Sequence, residues 1–492
     1  MNATCFRFSL LFLLILSVLF SCNTNRDGKF VTPTAQFLNC GFEQKSKTNL
    51  PANWILAPTV GYVATLVTDI KNSGTYSLKI EGKPIDDGSN INIKQKLAID
   101  YQQAKRIRLS AYIKTEKLKG NVVLWYTIED ERKKEIDFGS SESSGVMATG
   151  TKDWQKYAID IIISKAAKNL VFGAYMRGAG TVWFDDFAIE TYEGAVNEPT
   201  PEVVKFNKEF IDIVKQNSLY KDTVNWKLLD DDLALMAKGL KTTDDAQLLN
   251  NYVLQHLKEV GDNHSFIQYN VVAKNYVSGN ITPTKPEAKL LTNQIGYISV
   301  PGYGSVNEKL GEEFASDIQT LIKNLDTQND IKGWIVDLRT NSGGNMWPMI
   351  SGLGPLLDLG NVGYFLKGES SFPWKHTANG IGIKVKNPYR VRNNNKIAVL
   401  IGKETGSSGE MTAISFIGQQ NAKLFGEPSA GYITSNSMFK LSDGSNLLLA
   451  TTYVADRNHK KYLERVYPDV TVKPLANQDA VLQIAKSWLE GK

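Results

Sequence analysis

The period of the apolar residues changes twice along this chain, and that switch limits the folds open to it. From residue 37 to 190 apolar and polar residues alternate in short runs, YSLKI, INIKQKL, RIRLSAYIK, NVVLWYTIE, YAIDIII, NLVFGAYM and TVWFDDFAIE, punctuated by Gly, Asn and Asp. A period of two turns one face of each strand to a core and the other to water, so strands without intervening helices predict an all-β sandwich or jelly roll. From residue 203 the spacing becomes helical in VVKFNKEFIDIVKQNSLY, VNWKLLDDDLALMAKGL and TTDDAQLLNNYVLQHLKEVGD, with Thr243 as the predicted N-cap of the last and Gly261 as its stop. Farther on, QIGYISVPGY, EKLGEEFASDIQTLIKNL, IKGWIVDLRT, NKIAVLIG, SGEMTAISFIGQ and AKLFGE alternate strand and helix. That order predicts an α/β core with crossover connections, whose sites lie beyond the carboxyl ends of its strands.

The expectation is a multidomain α+β protein. Its predicted parts are a signal segment (1–21), a tether (22–34), a β-sandwich (35–192), a linker (193–202), a helical subdomain (203–270) and an α/β core (271–492). A length of 492 residues is consistent with about three domains. The charged fraction of 22% mixes both signs and the net charge is only +5, which gives no basic stripe and argues against a nucleic-acid partner.

At the N-terminus, Arg7 precedes an apolar run from Phe8 to Phe20, too short to span a bilayer and suited to an export signal. Its ending, Leu19-Phe20-Ser21-Cys22, resembles a bacterial lipobox. The resemblance implies cleavage before Cys22, lipidation of that residue, and anchoring to a bacterial membrane on the periplasmic or cell-surface side. Of three cysteines, Cys5 is removed with the signal and Cys22 is lipidated, leaving Cys40 with no partner for an intrachain disulfide. Cys40 reads as a small packed residue, and stability must come from cores.

The chemistry concentrates where NKIAVLIG runs into KETGSSGEMTA. A serine at a strand-to-helix turn projects its hydroxyl into a crevice, and amides at the helix start face any developing anion. A second glycine turn, VDLRTNSGGN, also follows a buried strand and brings backbone N–H groups close to a ligand. Serine needs a base, and the chain has four histidines. His256 lies in an amphipathic helix, His376 in a loop and His459 in a polar stretch, whereas His264 stands between a helix end and the strand-like FIQYN. His264 is the natural candidate.

Over residues 203–492 the ordered motifs GDNHSF, GYISVPGYG, GWIVDLRTNSGG, GSSGEMTA, LFGEPSAGYITSN and YPDVTV resemble the serine peptidase family of the C-terminal processing proteases, tricorn and the nisin-resistance protein, nearest its nisin-resistance branch. The resemblance implies Ser407 as nucleophile, His264 as general base, and an oxyanion hole from the amide of Ser408 with that of Gly343 or Gly344. Processing proteases of the Ser-Lys type carry a lysine where GEPSAGY places Tyr432, so a Ser-His arrangement is expected, oriented by Glu464 or, second, by Asp262. The short interval between His264 and Ile295 leaves no room for the PDZ domain found in many processing proteases.

In the N-terminal part, LNCGFE, PANW, NSGTYSLKI, Asp153-Trp154 and GAGTVWFDDFAIE resemble jelly-roll carbohydrate-binding modules. That resemblance implies a structural calcium held by Glu43 with Asp185 or Asp186, and a glycan partner stacking on Trp54, Trp125 or Trp183 if these are not core residues. The expected function is a lipid-anchored serine endopeptidase that hydrolyses an extended peptide or protein with no cofactor in the peptidase site. The rival readings are a catalytically inactive glycan- or peptide-binding lipoprotein and an ester hydrolase.

Overall fold

The computed structural model describes residues 28–31, 38–83, 89–142, 145–280, 283–473, 475 and 478–491; the signal segment and Cys22 lie outside them. Nine strands come first, β1 (Lys29–Val31), β2 (Ile55–Leu56), β3 (Tyr62–Val67), β4 (Ser77–Gly82), β5 (Asn90–Ala98), β6 (Lys105–Glu129), β7 (Glu135–Ser140), β8 (Ala148–Ile163) and β9 (Asn169–Glu193), and every pairing among them is antiparallel. RIRLSAYIK and NVVLWYTIE, separate strands by their punctuation, are the two halves of the 25-residue β6. NLVFGAYM and TVWFDDFAIE are likewise the halves of β9.

These two long strands pair with each other throughout, with a register shift between Glu116 and Lys119. Up to the Glu116–Lys119 shift β6 lies against β8, a pairing that ends at Val122, and its partner half of β9 against β4; from Trp125 on β6 lies against β7, and the other half of β9 against β5. Each long strand therefore passes between two layers. Glycine permits the crossing, since a Cβ on Gly120 would meet the Arg177 carbonyl oxygen at 2.0 Å. One apolar core joins the halves, from Ile107 and Leu109 to Leu124 and Ile128.

Trp54, Trp125 and Trp183 are all buried. Trp54 packs among Phe42, Phe172 and Phe187 and donates Nε1–H to the Asn39 carbonyl at 2.9 Å. Of the two alternatives for these rings, core residue or sugar platform, their burial is that of core residues.

Helices α1 (Pro201–Asn217), α2 (Trp226–Met236) and α3 (Thr243–Glu259) follow. Their apolar faces share one core with Ala104 and Ile162 of the β unit and Leu447 and Leu449 from the C-terminal part. The N-cap of α3 is Thr242, one residue before the expected Thr243. Its Oγ1 accepts from the Asp245 amide at 3.2 Å while Asp245 accepts from the Thr242 amide at 2.9 Å, a reciprocal box that requires the acid three residues after the cap.

The C-terminal part contains β10 (Phe266–Gln268), α4 (Asn270–Ser278), β11 (Glu287–Leu291), β12 (Ile295–Ser299), α5 (Glu308–Gln328), β13 (Gly333–Asp337) and α6 (Met346–Gly352). It continues through β14 (Gly360–Lys367), β15 (Ser370–His376), β16 (Lys396–Ile401), α7 (Ser408–Ile414), β17 (Ala422–Gly426), β18 (Thr434–Lys440), β19 (Asn446–Ala455), β20 (Lys461–Tyr462), β21 (Val470–Thr471) and α8 (Ala480–Leu489). One sheet has the order β11-β12-β13-β16-β17-β21 and is parallel from β12 onward. A second, antiparallel sheet centres on β19, with β10 and β18 both paired to it. This second sheet decides the site, because β10 carries the end of the helical region onto the framework that also positions β18.

Candidate active site

Strand β16 ends at Ile401 and α7 begins at Ser408. In the turn between them Thr405 Oγ1 donates to the Leu338 carbonyl at 2.8 Å and accepts from the Gly402 amide at 2.9 Å, and Gly406 N–H donates to the Asn341 carbonyl at 3.0 Å. This turn is thus fastened to the second glycine turn, which follows β13. Gly409 lets α7 start this close to it, since a Cβ there would lie 2.3 Å from the Asn341 carbonyl oxygen.

Ser407 holds φ 51° and ψ −121°. Side-chain-bearing residues rarely adopt positive φ, and such a conformation costs on the order of 1–3 kcal/mol and persists only where the surroundings enforce it. Glu410 supplies that enforcement. Its buried carboxylate accepts from the Ser407 amide at 2.8 Å, from the Gly431 amide at 2.8 Å, and from the Ser429 hydroxyl. Burial pushes the Glu410 carboxyl up, and these donors pull it back.

His264 arrives from the other side of the chain. At the end of α3, Asp262 Oδ1 accepts from the amides of His264 and Ser265 at 3.0 and 2.9 Å, and its Oδ2 accepts from the Ser265 hydroxyl at 2.6 Å. Ser265 Oγ in turn accepts from the Ala450 amide of β19 at 2.9 Å. The turn so fixed sets His264 Nε2 at 2.8 Å from Ser407 Oγ and its Nδ1 at 3.1 Å from Thr434 Oγ1. The ring of Tyr432 stacks on the imidazole, 5.8 Å between centroids. Only 8% of His264 is exposed, and burial pushes its pKa down to about 4 against the pull of Thr434. At neutral pH the ring is uncharged and has a free lone pair for a proton.

The expectation that a carboxylate orients this imidazole is corrected. Glu464 is exposed and accepts from Tyr467 Oη at 3.4 Å, while Asp262 shapes the backbone around His264. Thr434, at the start of β18, is the ring's partner. It carries no charge and lies 170 residues from His264, so nothing in its local sequence marks it. Thr434→Val is expected to lower kcat about tenfold, the value of one hydrogen bond near 1.4 kcal/mol, with Thr434→Ser retaining most activity. Steady-state kinetics of the two variants check this; equal losses in both would point to packing instead.

The two glycine candidates differ in their engagement. Gly343 N–H donates to Asn341 Oδ1 at 3.0 Å. The amides of Gly344 and Ser408 have no acceptor among the described residues, and both residues line the same cleft as Ser407 and His264. Ser408 Oγ donates to the Gly344 carbonyl at 2.6 Å and clamps the two turns together. Asn341 is a second contributor not singled out from sequence: fully buried, it also donates Nδ2–H to the Val300 carbonyl at 3.0 Å.

The other histidines lie elsewhere. His256 pairs with Glu259 at 3.2 Å, His376 bonds the Asp358 carbonyl at 2.9 Å, and His459 stacks on Tyr364. In the β unit, Asp185 accepts from the amides of Asn72 and Ser73, Asp186 from the side chains of the same residues, and Glu43 from the amide of Thr75. These carboxylates secure the 72–75 loop with protein donors, and no group of three or more His, Cys, Asp or Glu among the described residues is arranged to hold a metal.

A parallel sheet with a strained serine at its strand-to-helix turn, a neutral imidazole on that hydroxyl and unengaged amides beside it defines the class of serine-type hydrolases. More particularly, residues 294–472 match the model of peptidase family S41, and this match, with the similarity to a carboxyl-terminal-processing peptidase, supports a serine peptidase. Ser407, Thr434 and both glycine turns fall inside the match; His264 lies before it.

The nisin-resistance protein of Lactococcus lactis subsp. lactis is 28% identical over 306 residues, covering 60% of this chain and 88% of the relative. The chloroplastic carboxyl-terminal-processing peptidase 2 of Arabidopsis thaliana is 29% identical over 180 residues, 33% of each chain. Among solved structures, a lipoprotein from Streptococcus agalactiae superposes with a TM-score of 0.51 at 27% identity, covering 59% of this chain and 97% of that one.

Proposed function

We propose that this chain is a lipid-anchored, extracytoplasmic serine endopeptidase that cleaves peptide bonds through an acyl-enzyme formed on Ser407, with His264 as its base. The observation that carries this reading is the 2.8 Å contact between His264 Nε2 and Ser407 Oγ, on a ring that burial keeps neutral. As Oγ attacks the scissile carbonyl, its proton passes to Nε2, and Thr434 steadies the imidazolium through Nδ1–H. The amides of Ser408 and Gly344 face the tetrahedral oxyanion, each worth about 3 kcal/mol of transition-state stabilisation. The imidazolium then protonates the leaving amine, and water, deprotonated by the same ring, releases the acyl group.

Strand β18 starts beside the dyad and among the described residues pairs only with β19, so its outer edge suits an extended substrate bound by main-chain hydrogen bonds. Between His264 and Ile295 the described residues form short elements, β10, α4, β11 and a 3-10 turn, so substrate selection is assigned to the cleft itself or to the N-terminal β unit and not to an inserted PDZ domain. The anchor follows from the lipobox-like segment ending at Cys22, and the β unit is read as a jelly-roll module of carbohydrate-binding type used here as part of the enzyme. The test is covalent: a fluorophosphonate should label the wild-type chain at Ser407, located by peptide mapping, and a peptide library should be cut by the same preparation. A chain inert to both is not a peptidase.

The pH profile is a separate prediction. Protonated His264 cannot accept the Ser407 proton, so kcat/KM should rise with pH through about 4 and be flat from about 5.5 to 8. The unperturbed value of about 6.5 expected from sequence alone is displaced downward by burial. An inflection near 6.5, with chemistry rate-limiting, would show the ring to be solvated in the working enzyme.

A further inference from the structure

Resting on the peptidase reading above, we propose that the β unit forms the far wall of the substrate cleft, and that Phe138 and Val146 on it select peptides with a bulky apolar side chain near the scissile bond. Ser407, His264 and Tyr432 line a cleft of about 1730 Å³ that is also lined by β7 and by residues 145–147 beyond it. Among the described residues strand β7 pairs only with β6, which leaves its other side an edge. Phe138 on it is 56% exposed and Val146 beyond it is 39% exposed. Phe266, Val272 and Met438 are exposed apolar residues lining the same cleft from the peptidase side. Apolar side chains scattered singly on a surface need no explanation, but a set that two folding units contribute to the cleft holding the reactive serine is suited to a hydrophobic segment of substrate.

The wall is held in register with the dyad. Lys258 of α3 pairs with Glu135 of β7 at 2.6 Å, and Ser164, just after β8, donates to Glu259 at 2.6 Å. Ala104 and Ile162 are buried in the core of the three helices. Helix α3 runs directly into the turn at Asp262 that aims His264, so one element carries both the wall contact and the base. A wall tied this way acts as a rigid subsite and not as a tethered neighbour.

Cleavage mapping by mass spectrometry on a library of extended peptides tests this with the full chain. Wild type should favour a bulky apolar residue at a fixed distance from the cut. The double variant Phe138→Ala/Val146→Ala should lower kcat/KM for such peptides about tenfold relative to polar ones, chiefly through KM. Phe138→Lys should shift the preference toward acidic residues. Phe138 is largely solvated, so the variants should melt with wild type, which circular dichroism confirms. Fluorophosphonate labelling of the same samples separates the two levels. A labelled wild type with no apolar preference, or a preference unmoved in both variants, overturns the wall; a wild type neither labelled nor active overturns the peptidase reading and the wall with it.

Discussion

Ser407→Ala is expected to reduce peptide hydrolysis by roughly 10⁴-fold or more while leaving the fold intact, and His264→Ala to do nearly the same. The two should not add, because the hydroxyl and its base act as one unit. Ser407 is half-buried and its hydroxyl is bonded to His264 Nε2, so truncation costs that one side-chain contact and relieves none of the backbone hydrogen bonds that hold the turn. Comparing single and double variants on one peptide substrate, with thermal melts alongside, checks both halves. Activity surviving in Ser407→Ala, or losses that multiply in the double variant, would be fatal to the dyad.

Glu410→Ala should be the second most damaging change, although its carboxylate is not bonded to His264. Its two oxygens receive the Ser407 amide, the Gly431 amide and the Ser429 hydroxyl. Removing them strands buried donors at about 1–3 kcal/mol each and releases the positive φ of Ser407. The expected result is a loss of roughly 2–4 kcal/mol in denaturant unfolding and at least about 10²-fold in fluorophosphonate labelling rate. Glu410→Gln keeps the volume and one acceptor oxygen but turns an NH₂ toward N–H donors, so it should fall between. Labelling at the wild-type rate in Glu410→Ala would show that the turn holds its geometry without the carboxylate, and that Glu410 is not a positioning residue.

Much of the scaffold was legible from periodicity. Period-two runs mark the strands of the β unit, helical spacing marks α1 to α3, and GSSGEMTA was placed on a strand-to-helix turn where Ser407 now stands. What local pattern could not show was continuity. The bend near Gly120 and Gly178 reads as punctuation between strands, yet β6 and β9 run through it because register is a property of the pair and not of one segment. The α3 cap was misplaced by one residue for a related reason: Thr242 and Thr243 are alike until the reach of Asp245 back to the cap is known.

The site divides in the same way. Ser407 and His264 stood out because nucleophile and base require residue types that are scarce in this chain and because ordered motifs surround them. Glu464, the first candidate by sequence, lies in solvent, while the group on the imidazole is Thr434, a neutral hydroxyl that two pairings on β19 bring within 3.1 Å. Gly343 and Gly344 are neighbours with the same φ region, and only the direction of the Asn341 side chain separates the engaged amide from the open one. The sequence by itself determined which elements form and which residue types can react, since periodicity and side-chain chemistry are local. Tertiary structure alone decided which of those residues meet and how far burial lowers the imidazole. Those depend on distances and on the exclusion of water, which exist only once segments far apart in the chain have packed together.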